Sequence, residues 1–227
     1  MEITMAVAAA LGIGPALIVL YVAIGPYTYP YTEKAFFEDR KLFLLLAVGM
    51  MIGIVLFSAY TWFSWSSLIV AVGYAVVMEM VKVVILNLPR FQRRLDTVFY
   101  GTSLGVGIGA TFAFGMAFYL LSLIGSPEPL DWIVVLLLSV QQVLLHSATG
   151  ATIGEGVVRD YAWGFLAQAI GVNLVFQFLM LPLYNLSYPI GYITLLVALL
   201  FLIWYWWLVH KRRVPSLVKQ AVKQYGL

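Results

Sequence analysis

Long apolar runs separated by short polar gaps extend through the whole chain. Seven of these runs are about 20 residues long, which is the length that an α-helix needs to cross the hydrocarbon core of a bilayer. Prolines occur in several of the gaps, as expected where helices end. The pattern therefore predicts an all-α polytopic membrane protein with seven transmembrane helices, at residues 3–25, 41–62, 66–88, 98–124, 131–154, 161–183 and 189–209.

The composition supports this class and excludes several others. Of the 227 residues, 63% are hydrophobic and 10% are charged, and a soluble domain of this size cannot cover so much apolar surface. The basic residues form short clusters between apolar runs, a pattern typical of membrane topology signals, so we expect no nucleic-acid partner. The chain has no cysteine, which excludes disulfides and thiolate metal sites. We expect a lipid bilayer as its environment and no cofactor.

The positive charges predict the orientation. With seven spans, twelve of the thirteen Lys and Arg residues fall on one side, and the thirteenth, Lys82, lies inside the third span. By the positive-inside rule, we expect an outside N-terminus, a basic cytoplasmic tail at residues 210–227 and location in the cell membrane. The same topology places a glycosylation sequon at Asn185 outside. The first apolar run lacks a basic leader, so we interpret it as a retained helix.

Ionisable residues inside the spans are the candidate site. Glu79 and Lys82 are three residues apart in the third span, so on a helix they share a face and can neutralise one another. The alternative for Lys82 is that it extends to the cytoplasmic interface. His146 in the fifth span and Asn173 in the sixth lie at a similar depth. A carboxylate facing an imidazole can act as a general acid–base pair, or it can join helices as a structural ion pair.

Two further features have mainly structural interpretations. Gly101, Gly105 and Gly109 form a small-xxx-small ridge on the fourth span, which predicts close helix packing rather than a phosphate-binding loop. Asp96 precedes that span, and its simplest role is to cap the N-terminus of the helix.

The order of motifs resembles the PrsW family of intramembrane proteases, in the superfamily that also contains the CPBP proteins. That family has a Pro-containing first span, which residues 14–17 (GPAL) match. Its Glu-Glu-x-x-Lys motif falls on residues 78–82 (MEMVK), and its Asp-x-x-x-Tyr-Gly motif on residues 96–101 (DTVFYG). A later His followed by small residues is matched by residues 146–150 (HSATG). The resemblance implies an intramembrane peptidase with Glu79 as the base.

The chain departs from the PrsW pattern at most of its ionisable site positions. Met78 replaces the first Glu of the pair, and Phe112 replaces the Glu that follows the glycine-rich run. Asn173 and Gln177 stand where a second His and a further acid are expected. One Glu and one His are too few to hold a metal or to perform hydrolysis with paired carboxylates. The resemblance is therefore to a protease with a degenerate site.

The same features are also similar to the Aph subunit, the non-catalytic scaffold of γ-secretase. Shared elements are the opening of residues 14–16 (GPA), a single Glu followed by a basic residue at Glu79 and Lys82, and residues 144–146 (LLH). This resemblance implies that Glu79 and His146 are structural and that a partner helix docks on the protein.

Three functions thus stay open. A residual peptidase would use Glu79 to activate water, with His146 as acid or orienting partner and with Lys82 or His146 keeping Glu79 charged, on a membrane-protein substrate. A scaffold would bury Glu79 and His146 in a satisfied network. A transporter is disfavoured because only the third predicted span contains an acid and no inverted repeat is visible.

Overall fold

The computed structural model describes residues 2–33, 35–63, 67–185, 187 and 189–225. This part of the chain is all-helical, and seven of its helices are long and apolar enough to cross a membrane. The prediction of a multi-pass integral membrane protein is confirmed. Lys34, one of the basic loop residues, and Leu186 of the sequon lie outside the described residues.

The helix bounds follow the apolar runs closely. Each of the seven long helices begins and ends within two residues of its predicted span, except that the fifth helix ends at Val158 instead of residue 154. The helices are α1 (Glu2–Ile24), α2 (Asp39–Thr61), α3 (Leu68–Leu86), α4 (Thr97–Ile124), α5 (Pro129–Val158), α6 (Ala162–Tyr184), α7 (Ile190–Trp207) and α8 (Val214–Tyr225).

Helix α4 lies at the centre of the bundle. In its most apolar stretch 78% of the residues are buried, against 28% in α1 and in α2. Helix α5 is almost as enclosed, with 72%. Because both helices are surrounded by protein, polar side chains on them are shielded from lipid, and this pair forms the core on which the other helices pack.

Glycines allow α4 and α5 to pack at very short distance. A Cβ atom at Gly101 would overlap the carbonyl of Gly150, and one at Gly105 would overlap the carbonyl of His146. At Gly109 it would lie 2.8 Å from the carbonyl oxygen of Gln142. Any larger residue would separate the backbones, so the ridge on α4 fixes the distance and register of α5.

The loops that the charge pattern assigns to one side meet at one end of the bundle. Arg94, in the α3–α4 loop, lies 3.8 Å from Glu38, which precedes α2. Arg93 in the same loop pairs at 2.6 Å with Asp160, which follows α5. The Lys211 ammonium lies 3.4 Å from a carbonyl oxygen near the end of α1. The basic loops and the C-terminal segment therefore share one face of the protein.

The C-terminal segment is helical as far as Tyr225. Helix α7 continues through one π-helical stretch, Leu208–Arg213, directly into α8. Val214, Leu217 and Val218 are buried, so one side of α8 packs on the bundle while the other side is exposed.

Candidate functional site

Three helices bring the predicted polar residues together inside the bundle. Helix α3 contributes Glu79 and Lys82, α5 contributes His146, and α6 contributes Asn173. Glu79, Lys82 and Asn173 are 0% exposed and His146 is 1% exposed. Ionisable groups at such positions are costly unless they are paired and hydrogen-bonded, so the contacts of each group determine what it can do.

The ammonium group of Lys82 is the centre of the cluster. Its Nζ lies 2.9 Å from both carboxylate oxygens of Glu79. It also donates to Thr149 Oγ1 at 2.6 Å and lies 3.1 Å from His146 Nδ1. The ammonium group has three hydrogens and four acceptor atoms around it. The two oxygens of Glu79 lie on the same side of Nζ and share one of these hydrogens. A single side chain of α3 thus binds α5 at two points.

The carboxylate of Glu79 makes three polar contacts, all with protein groups, which fill three of its about four lone-pair positions. Besides the two contacts with Lys82, its Oε1 accepts a hydrogen bond of 2.8 Å from Asn173 Nδ2. Asn173 Oδ1 in turn lies 3.4 Å from Nε2 of Gln177, one turn further along α6. Glu79 therefore links α3 to α6, and its negative charge is balanced by the Lys82 ammonium.

The protonation of His146 follows from its neighbour. Lys82 can only donate, so Nδ1 of His146 accepts and the neutral ring has its hydrogen on Nε2. Among the described residues, Nε2 has no hydrogen-bond partner although the atom is buried. The ring of Phe112 is inclined at 64° to the imidazole, with 6.1 Å between ring centroids. An aromatic ring therefore occupies the position at which the PrsW resemblance would expect an acid.

The structure decides between the two alternatives for Lys82 and corrects the expected contact between Glu79 and His146. Lys82 does not extend to the interface, because it is fully buried and paired with Glu79. Nor do Glu79 and His146 form a direct pair, because the Lys82 ammonium contacts both of them. Thr149 was missed by the sequence reasoning; the available signal was its position three residues after His146, on the same face of α5.

Asp96 occupies the N-cap position of α4 but does not cap it with its side chain. Its carboxylate accepts hydrogen bonds from Arg94, at 2.8 and 3.2 Å, and from the Tyr100 hydroxyl at 3.2 Å. The hydrogen bond with Asp96 also raises the pKa of the Arg94 guanidinium. The capping prediction is therefore wrong, because the loop arginine and a tyrosine one turn further on compete for the same oxygens.

Glu155 is a further buried acid, beyond the end of the predicted fifth span. Helix α5 continues to Val158, so Glu155 lies inside it and is 4% exposed. Its carboxylate pairs with Arg159 at 2.9 Å and with Arg213 at 2.7 Å. The prediction that no span except the third contains an acid is therefore wrong, because α5 contains Asp131 as well as Glu155. The Glu155–Arg159 spacing of four residues was a signal for this pair, whereas Arg213 lies too far away in sequence to be predicted.

Two cavities lie at the loop end of the described part of the chain. One, of about 890 Å³, is lined by the α1–α2 loop and by Arg94, Leu95 and Asp96. The other, of about 410 Å³, lies between the loop after α5 and α8. Neither cavity is lined by Glu79 or His146, so neither gives water a route to the buried cluster.

Within the described ranges, no group of three His, Cys, Asp or Glu residues is placed to hold a metal ion. No protein-family profile, curated protein or solved structure matches the chain.

Proposed function

We propose that this chain is a non-catalytic membrane scaffold of the superfamily that contains the PrsW proteases, the CPBP proteins and the Aph subunit. One observation carries the proposal. Glu79, the residue that would have to act as the base, is completely buried and has its carboxylate bound by Lys82 and Asn173. The likeness of residues 14–16, 79–82 and 144–146 to the Aph pattern supports the same conclusion.

A hydrolytic base needs a free lone pair and a water molecule within hydrogen-bond distance. Glu79 is 0% exposed, so a water molecule could reach its carboxylate only if the packed side chains around it moved. Displacing the Lys82 ammonium would leave a charge unpaired in the interior, which costs about 3–5 kcal/mol for a buried ion pair. Displacing Asn173 would remove a hydrogen bond to that charge, at a cost of about 1.5–3 kcal/mol. The resting arrangement therefore opposes catalysis by Glu79.

The same contacts are well suited to fixing the helices. Lys82 joins α3 to α5 through His146 and Thr149, and Glu79 joins α3 to α6 through Asn173. A polar network of this kind has one satisfied arrangement, so it sets the rotation of α3 about its own axis. Under this proposal, the network holds the outer faces of the bundle in a defined position on which partner transmembrane helices dock.

A residual intramembrane peptidase is the second candidate, and one observation favours it. The Nε2 atom of His146 is buried without a hydrogen-bond partner among the described residues. A substrate carbonyl or a water molecule at that atom would satisfy it. In such an enzyme, His146 would be the acid and Glu79 would need a water molecule beside its carboxylate.

We propose further that the N-terminus is outside and the C-terminus cytoplasmic, in the cell membrane. The support is the concentration of Lys and Arg at the end of the bundle where the α3–α4 loop, the α5–α6 loop and the C-terminal segment lie. Basic loops are retained on the cytoplasmic side during insertion.

The deciding experiment is a reconstituted cleavage assay on a panel of single-span peptides, comparing the wild type with Glu79→Gln and His146→Ala. Thermal unfolding of the three proteins is recorded in parallel. The scaffold proposal expects no cleavage by any of them and clearly lower thermal stability for both variants. Cleavage by the wild type that is lost in both variants, at unchanged stability, would establish the peptidase instead.

A further inference from the structure

The junction between α7 and α8 concentrates unpaired positive charge. No Asp or Glu follows Asp160 in the sequence, whereas five Lys and Arg residues do. Of the three consecutive cations at the junction, Arg213 is engaged with Glu155 at 2.7 Å and is only 19% exposed. Lys211 and Arg212 are exposed, and within the described residues neither forms an ion pair. Two cations are therefore available to a ligand at this point.

Aromatic rings hold these two cations in place. The guanidinium of Arg212 lies 4.6 Å from the ring centroid of Trp207, and the Lys211 ammonium lies 6.0 Å from that of Trp206. The ammonium also lies 3.4 Å from the Val22 carbonyl oxygen, near the end of α1. Both charges thus stand where two apolar spans end, which is the depth at which lipid headgroups lie.

The π-helical stretch Leu208–Arg213 explains this alignment. In a π-helix, hydrogen bonds join residues five apart, so the side chain of Arg212 comes to lie over Trp207, whereas a regular α-helix would offset it. Such stretches in α-helices occur often at functional sites.

An exposed apolar stripe leads along α7 to the two cations. Its members are spaced three or four residues apart and therefore lie on one face of the helix. They are Leu196 (52% exposed), Leu200 (67%), Ile203 (47%) and Trp207 (43%). A stripe that ends at a pair of cations matches a molecule with an acyl chain and an anionic headgroup.

We propose that Lys211 and Arg212 bind the phosphodiester of an anionic phospholipid, with one acyl chain lying along the stripe of α7. The basic residues of α8 do not belong to this site. Lys219 and Lys223 are exposed, but Lys219 lies seven residues beyond Arg212, about 10 Å farther along the helix. The proposed site therefore consists of the two cations at the end of α7 and does not include every exposed cation of the C-terminal segment.

Native mass spectrometry of the full chain in detergent micelles tests this proposal, with phosphatidylglycerol and phosphatidylcholine of equal chain length as probes. The wild type is expected to bind phosphatidylglycerol more tightly. The double variant Lys211→Gln/Arg212→Gln is expected to lose about fivefold in this preference for each cation removed. The matched double variant Lys219→Gln/Lys223→Gln removes the same net charge and is expected to keep the preference.

Several outcomes would overturn the proposal. They are equal binding of the two lipids by the wild type, a preference that survives in Lys211→Gln/Arg212→Gln, and an equal loss in both double variants. Inorganic phosphate that competes fully at the same concentration would show that the cations bind free phosphate rather than a lipid. Thermal unfolding of each variant verifies that it is folded.

Discussion

Lys82 provides three ammonium hydrogens to acceptors on two helices, and Glu79 provides two carboxylate oxygens to donors on two helices. At the residue scale, the donors and acceptors of the cluster are therefore nearly matched, and its positive and negative charges lie 2.9 Å apart. The one atom of the cluster without a partner among the described residues is Nε2 of His146. A balanced interior ion pair is tolerated in a bundle, whereas either charge alone is not. This balance supports the proposal that the cluster is structural.

The hydrogen bond from Asn173 to Glu79 gives a first prediction. Asn173→Leu removes a donor to a buried carboxylate, so we expect the free energy of unfolding to fall by about 1.5–3 kcal/mol. Asn185→Leu is the matched control, because Asn185 is exposed and bonds only the Leu181 carbonyl among the described residues. Denaturant titration in mixed micelles measures both. Equal stability of the two variants would contradict the role of Asn173.

The sequence predicted which polar residues matter better than how they are arranged. Glu79, Lys82, His146 and Asn173 stand out because ionisable and amide groups are rare in apolar runs. Spacing, however, gives only the face of a helix. It could not predict that the Lys82 side chain would point toward α5, because that depends on the rotation of α3 about its axis. It also depends on the acceptor at Thr149, which the sequence alone does not distinguish from the other threonines in the spans.

At the element scale, the distance between α4 and α5 determines the site. The His146 carbonyl lies against Gly105, and the His146 side chain contacts Lys82. Any change in the α4–α5 distance therefore moves one member of the polar cluster. The glycine ridge was visible in the sequence because its spacing of four residues is characteristic of close helix pairs. The surface of α5 against which this ridge packs was not visible in the sequence. Gly150 and Gln142 belong to it only because of the register of α5 along α4.

Gly105→Ala is the corresponding prediction. The added methyl group would overlap the His146 carbonyl, so we expect a loss of about 1–3 kcal/mol in stability as the helices separate. Gly73→Ala, in α3, is the control: nothing lies within 4 Å of its Cβ position, and alanine favours the helix by up to about 1 kcal/mol. Unfolding curves of both variants provide the measurement, and a Gly105→Ala protein as stable as Gly73→Ala would refute the close packing.

The end of α5 shows why element bounds are harder to predict than elements. The run after residue 154 contains Gly156, Glu155 and Arg159, which in isolation resemble the start of a loop. In the structure the helix continues to Val158, and Glu155 is neutralised there by Arg159 and by Arg213 from the C-terminal segment. The contact with Arg213 joins residues 58 positions apart, so no local pattern could predict it.

At the scale of the whole molecule, the seven apolar runs and the distribution of Lys and Arg predicted the number of spans and which loops share a face. Both depend on composition averaged over many residues, which single contacts do not alter. The loop contacts between Arg93 and Asp160, and between Arg94 and Glu38, agree with this grouping.

The absence of native cysteine gives a clean test of orientation. Ser126, between α4 and α5, and Ser216, in α8, are both exposed and lie at opposite ends of the bundle. A membrane-impermeant maleimide added to intact cells is expected to label Ser126→Cys but not Ser216→Cys, and to label both after lysis. The reverse pattern on intact cells would invert the proposed topology.

Under the proposed function, Glu79 serves as the counter-ion of Lys82 rather than as a catalytic base. The most direct measurement is the free energy of unfolding of Glu79→Gln, Lys82→Met and the double variant in one micelle system. Each single change leaves a buried charge without its partner, so we predict losses of about 3–5 kcal/mol each. The double variant should be clearly more stable than the sum of the two losses implies. A Glu79→Gln protein as stable as the wild type, with losses that simply add, would contradict the account and leave the carboxylate free for chemistry.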